Sequence, residues 1–227
     1  MAQKKQKQTQ RAAATQKQQK SKNELERREV VVEVTAEENE SGSIITGRPI
    51  VFDSMTNIGE FDEIIERGAL NNTDLTDVRF LVNHDLSKIP LARSRRNNGN
   101  STMTLTVDEQ GLFIRAILDT ENNADAQALY SAIQRGDISG MSFLFSVTDE
   151  RWENLESEHP TRHILAIGTV IEVSAVSFPA YDSTSISARN REALENARAA
   201  LENARAAAVD TDALALAKAK YEFKAKF

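Results

Sequence analysis

Ile164-Leu165-Ala166-Ile167-Gly168-Thr169-Val170-Ile171-Glu172-Val173-Ser174-Ala175-Val176 is rich in β-branched residues and reads as a long strand, with Gly168 its expected break point. Outward from it, Met141 to Val147, Thr102 to Val107, Leu112 to Leu118, Val78 to Val82, Ile44 to Phe52 and Val30 to Val34 carry the same signature. Asp108-Glu109-Gln110-Gly111 between two of these runs is a hairpin signal. Two helices are predicted. Phe61 to Gly68 has apolar residues at i, i+3 and i+4 before a glycine stop, and Asn123 to Arg135 has Ala128, Leu129, Ala132 and Ile133 at helical spacing before Gly136. Pro179 closes the strand-rich part. Strands at short intervals with few crossover helices predict a mainly β chain with a few helices (α+β), arranged as a mostly antiparallel barrel or curled sheet.

The flanks differ from this middle. Residues 1–28 hold nine Lys or Arg against Glu24 and Glu26, and Leu25 is their first large aliphatic residue after Met1, so the stretch is predicted to be a disordered basic arm. It reads either as a contact for nucleic acid or an acidic partner or as a solubilising tail. Residues 29–188 hold eleven basic and 26 acidic groups and form the predicted folded domain. In residues 189–227, Ala193-Leu194-Glu195-Asn196-Ala197-Arg198-Ala199 is followed by its near copy, Ala200 to Ala206. That heptad predicts a helical tail, either docking on a partner or merely solvated.

Composition narrows the chemistry. Of 227 residues 40% are apolar, enough for one core. There is no cysteine and there are three histidines, so thiolate chemistry is excluded and no cofactor or metal is expected. No run nears the roughly 18 apolar residues of a membrane span, and the polar N-terminal stretch has no signal-peptide apolar segment, so a soluble protein without an export signal or a membrane partner is expected. The acidic middle segment argues against nucleic acid as a partner.

Three residues stand out. Ser142 lies in Gly140-Met141-Ser142-Phe143-Leu144-Phe145-Ser146, where Met141, Phe143 and Phe145 share one face and Ser142, Leu144 and Ser146 the other. That second face is either an exposed sheet surface or the seat of a nucleophile, which would need a base beside it. His84 ends the strand Arg79 to Val82, at a rim position that suits either a solvated histidine or a general base. Glu172 interrupts a run apolar on both faces. If buried, it costs several kcal/mol to desolvate without a partner, and an imidazole N–H is a suitable one; on an edge strand it faces water instead. Together the three supply the nucleophile, base and orienting carboxylate of acyl transfer.

At these residues the chain resembles a known family. Asn83-His84-Asp85, Ile138 to Phe143 and Glu172 to Tyr181, with Gly68-Ala69-Leu70, Gly111-Leu112 and Arg135-Gly136-Asp137, resemble the prohead (procapsid maturation) serine proteases of tailed bacteriophages over residues 44–188. The resemblance implies a serine endopeptidase on a herpesvirus-protease-like antiparallel β-barrel, working inside the immature viral capsid in the host cytoplasm. It implies the major capsid protein and scaffold segments as substrates, with self-cleavage and self-association as further expectations. By the same resemblance His84 matches the family histidine, Ser142 the nucleophile and Glu172 the acidic third member; His163 is the reserve, since herpesvirus relatives use a second histidine. Leu144 departs from the glycine expected there. The rival reading is a non-enzymatic scaffold or capsid-assembly protein on the same fold, its serine and histidine inert.

Overall fold

Side-chain alternation decides which strands this chain can bury. A computed structural model describes residues 24–31, 34–39, 42–177 and 190–207. The elements in order are β1 (Leu25–Val31), β2 (Thr35–Asn39), β3 (Gly42–Val51), β4 (Met55–Asn57), β5 (Asp62–Ile65), β6 (Arg79–Val82), β7 (Ala92–Arg93), β8 (Met103–Asp108), β9 (Gly111–Leu118), α1 (Ala124–Gln134), β10 (Gly140–Glu153) and β11 (Thr161–Val176). A second helix, α2, covers residues 190–207.

β10 and β11 form the spine, paired antiparallel from Gly140↔Val176 to Glu153↔Thr161. They belong to a seven-stranded sheet of order β1-β10-β11-β5-β4, with β6 on another stretch of β11 and β7 beyond it. A four-stranded antiparallel sheet, β2-β3-β9-β8, shares one core with it. Met141, Phe143 and Phe145 bury their side chains in that core with Ile45, Ile50 and Ile114. α1 adds Ala126, Leu129, Tyr130 and Ile133, one stripe at helical spacing, and Asn123 caps it by accepting from Asp125 N at 3.0 Å and Ala126 N at 3.3 Å.

The hairpin forms as its turn residues predict, with β8 and β9 flanking Glu109-Gln110. Gly111 has φ +141°, and a Cβ there would lie 2.0 Å from the Ile50 carbonyl oxygen, so no other residue fits. The long strand does not break at Gly168. Ile167 pairs with Val147 and Thr169 with Ser146, which leaves Gly168 as a bulge in a continuous β11.

Several expectations are corrected. Residues Phe61 to Gly68 are not a helix: Phe61, Glu63 and Ile65 are buried while Asp62, Ile64 and Glu66 are half-buried, a period of two. A helix of two turns is marginal alone, whereas β5 gains a parallel ladder with Thr161–Ile164 of β11. Among the described residues no closed barrel forms; the large sheet ends at β1 on one side and β4 on the other, because β11 spends its free edge on two separate parallel strands. Of the predicted basic arm, residues 1–23 lie outside the described residues, and Leu25–Arg28 belong to β1. Of Val30 to Val34, Val30 and Val31 end β1 and Val34 precedes β2, while Val32, Glu33 and Pro179 lie outside the described residues. The heptad segment is helical, and α2 rests on its own chain: Leu194 is buried and Arg198 donates to the carbonyls of Leu155 and Ser157 at 3.1 and 2.8 Å.

Candidate active site

β6 runs parallel to β11, from Arg79 beside Glu172 to Val82 beside Ala175. One residue later Asn83 N donates to the Ala175 carbonyl at 2.9 Å, and the chain then leaves the sheet. Asn83 and His84 both take left-handed backbone angles, φ 50° and 59°. Asparagine tolerates that region better than most residues, and two bonds between Asn83 and Ser177 hold the turn in place. The tight reversal carries the His84 ring back along β11 to Glu172. His84 Nδ1 lies 2.5 Å from Glu172 Oε1.

Glu172 is fully buried and both of its oxygens are engaged. Ser174 Oγ donates to Glu172 Oε2 at 2.6 Å and accepts from the His84 main-chain N–H at 3.2 Å. The buried-acid alternative therefore holds over the water-facing one. An ionised carboxylate only accepts, so Nδ1 of His84 carries the proton, and in the neutral ring Nε2 carries a lone pair. That Nε2 is buried and has no hydrogen-bond partner among the described residues.

Ser142 is the register partner of Ser174 across β10 and β11, so the two side chains stand on one face at neighbouring positions. The exposed-surface alternative for this face is overturned: Ser142 is 0% exposed, Leu144 7% and Ser146 6%. Leu144, where a glycine was expected, is the register partner of Glu172. The Ser142 hydroxyl donates to the main-chain carbonyl of Arg28 on β1 at 2.7 Å. The structure thus joins His84 to Glu172 directly and sets Ser142 on the same face, with its hydroxyl turned to β1.

His163 lies apart from this group. It is nine residues before Glu172 on β11, about 30 Å away along an extended strand. Its Nδ1 lies 2.6 Å from Glu66 Oε1 and its Nε2 3.5 Å from Glu153 Oε2. His159 Nε2 is 3.0 Å from Asp62, again at that far end.

A charge cluster beside β10 was not visible in the sequence. Arg28 Nε and Nη2 meet the two oxygens of Glu63 at 2.5 and 2.7 Å, and Arg162 Nη1 and Nη2 meet those of Glu26 at 2.6 and 2.8 Å. Arg162 is 2% exposed. The partners are scattered over β1, β5 and β11, Glu63 sits in the segment with helical spacing, and Glu26 and Arg28 sit in a run of four charged residues, so no local pattern pointed to their pairing. Burial works to raise the Glu26 pKa, but the Arg162 and Arg28 guanidiniums outweigh it and hold the carboxyl at about 2, below its ordinary 4.5. A depressed carboxyl contributes stability that is complete above its unfolded value and fades as the pH falls through the folded one. Amide protection of Leu25–Val31 is therefore expected to drop as the pH falls from about 4.5 toward about 2, before that of the β3–β9 ladder. Hydrogen exchange at stepped pH reads this out, and equal protection of both ladders through that window would refute it.

With this geometry in hand, three comparisons place the chain among known proteins. The profile of the Caudovirus prohead serine protease family matches residues 30–198. The prohead protease of Enterobacteria phage HK97 is 28% identical over 148 residues, 64% of this chain and 59% of that protein, so the match spans under two thirds of that relative. A solved structure of the bacteriophage T4 capsid assembly protease aligns with a TM-score of 0.32 and 14% identity, covering 66% of this chain and 98% of that one.

Proposed function

The chain belongs to the Caudovirus prohead serine protease family, and from that premise we propose that it is a serine endopeptidase of capsid maturation with Ser142 as nucleophile, His84 as general base and Glu172 as the orienting acid. The observation that carries the reading is the buried His84–Glu172 pair, 2.5 Å apart, whose second ring nitrogen has no partner among the described residues, and whose two members are both bonded to Ser174, the register partner of Ser142. A histidine held only for packing has no need of a desolvated carboxylate on one nitrogen and an open lone pair on the other.

The reaction follows from these groups. Ser142 first releases the Arg28 carbonyl and turns its hydroxyl toward His84. Its oxygen then adds to the scissile carbonyl carbon while its proton passes to His84 Nε2. Glu172 keeps the ring in the Nδ1–H tautomer and stabilises the imidazolium. The same proton goes to the departing amine, and water, activated by His84, cleaves the acyl-enzyme. The substrates in this reading are the major capsid protein and its scaffold segments within the immature capsid, and the protease cuts itself as well. The α2 tail and the basic residues before β1 serve recruitment into the shell, where local concentration replaces intrinsic affinity.

The rival, an inert scaffold protein, has one observation in its favour: Ser142 is fully buried and bonded to main chain. A fluorophosphonate added to assembled procapsids separates the two. The protease is expected to gain one adduct, mapped by peptide mass to Ser142, and the His84→Ala variant none. An unlabelled Ser142 in procapsids that have cleaved no protein would return the chain to the scaffold reading.

A further inference from the structure

Glu63 and Arg162 are register partners across the parallel β5–β11 pair, with Arg162 Nη1 3.1 Å from Glu63 Oε2. Glu150 holds Arg162 from the other side, accepting from Nε at 2.9 Å. These three groups belong to the sheet without β1. Glu26 and Arg28, which β1 adds, bring one charge of each sign, so the cluster has the same net charge with β1 or without it. Both added contacts are bidentate: Arg28 to Glu63, and Glu26 to Arg162. That fork geometry discriminates strongly by side-chain type. A cavity of about 280 Å³ opens against the Arg28–Glu63 contact, lined also by Glu29, Val51, Thr56 and Phe143.

Among the described residues β1 is an edge strand whose ladder is made with β10, from Leu25↔Ser146 to Val31↔Gly140. Adding an extended peptide to a sheet edge is a common way of gripping a chain: main-chain bonds hold it and side-chain pockets select it. Within that ladder it is the Arg28 carbonyl that receives the Ser142 hydroxyl. One extended segment thus offers a carbonyl to the nucleophile and two charged side chains to a ready-made pocket.

We infer that β1 occupies the substrate track of this protease, and that Glu63 and Arg162 are specificity-determining residues that read a basic side chain immediately before the scissile bond and an acidic one two residues earlier. This rests on the protease reading of Ser142. The bond addressed in the chain itself is Arg28–Glu29. Ser142 Oγ bonds to the Arg28 carbonyl carbon as its proton passes to His84. The Arg28–Glu29 C–N bond breaks and the Glu29 nitrogen takes that proton. Water then frees Arg28 as a carboxylate. Residues 1–28 depart, Glu29 becomes the new N-terminus, and the β10 edge opens to other substrates.

The test uses the full chain and synthetic peptides spanning its residues 21–34, unaltered or carrying Arg28→Gln or Glu26→Gln, with fluorophosphonate labelling of Ser142 run beside them. The unaltered peptide is expected to be cut between Arg28 and Glu29, and incubated protein to acquire Glu29 as a new N-terminus. Each replacement is expected to lower kcat/KM about ten-fold or more, the loss that a charge-assisted hydrogen bond implies. In the Glu63→Gln enzyme the preference for the Arg28 peptide over its Gln counterpart is expected to collapse; should that variant not fold, the peptide series on the unaltered enzyme still decides. A labelled Ser142 with equal cutting of all three peptides overturns the pocket and leaves the protease standing. A chain that takes no label and makes no cut overturns both.

Discussion

Ser142→Ala is expected to lower the rate of capsid-protein cleavage about a million-fold, the loss seen when a serine nucleophile is removed from a working triad. The effect is that large because the remaining groups have nothing to activate: His84 without a hydroxyl beside it is a base with no acid to deprotonate. Stability moves little. The Ser142 side chain makes one hydrogen bond, to the Arg28 carbonyl, and its loss costs about 1 kcal/mol. Alanine is smaller than serine by one oxygen, so the Phe143 and Phe145 face of β10 is untouched. Cleavage of the capsid protein is followed by gel or mass spectrometry and folding by calorimetry. Ser146→Ala, four residues further along the same face of β10, is the matched control and is expected to cleave normally. Retained cleavage by Ser142→Ala, with the midpoint of unfolding unchanged, would remove Ser142 from the mechanism.

β10, the β8–β9 hairpin and α1 were readable because they obey local rules. Met141, Phe143 and Phe145 alternate with small residues, the Asp108–Gly111 turn specifies a two-residue hairpin, and Asn123 to Gly136 carries its own cap and stop. Glu172 was readable for the opposite reason: it breaks the pattern of its strand, and an unpaired buried carboxylate is too costly to keep. What local rules do not encode is pairing between distant segments. Nothing near Glu63 announces Arg28, 35 positions away, so Phe61, Ile64 and Ile65 suggested a helix while the ladder with β11 and the buried ion pairs favoured a strand. The same gap hides the cover of Ser142. A residue can be placed on a face by its period, but whether that face meets water depends on which strand arrives beside it, and here β1 comes from a segment whose composition signals solvent. Closure of the barrel fails for a related reason, since two parallel strands on β11 leave the outer edges of the sheet apart.

The roles of the two acid–histidine pairs can be separated by substitution. His84–Glu172 and His163–Glu66 have similar geometry, 2.5 and 2.6 Å through Nδ1, yet it is the first that is bonded to Ser174, the register partner of Ser142. Glu172→Gln is expected to reduce kcat about ten-thousand-fold, because a neutral amide neither stabilises the imidazolium that forms during attack nor enforces the Nδ1–H tautomer; its NH2 group can donate to Nδ1 and push the proton onto Nε2, where it blocks uptake from the serine. Folding is retained, since glutamine fills the same volume and still offers a carbonyl to Ser174 Oγ or to the ring. Glu172→Ala differs in kind: it strands the Ser174 hydroxyl and the His84 N–H in a dry site, at about 1–3 kcal/mol for each group. A loss of activity confined to the alanine variant would therefore mark a structural acid rather than an orienting one. His163→Gln is expected to leave kcat essentially unchanged. Single-turnover cleavage by the three variants, with calorimetry to confirm folding, decides the matter; if His163→Gln and not Glu172→Gln removes activity, the assignment of the third member is reversed.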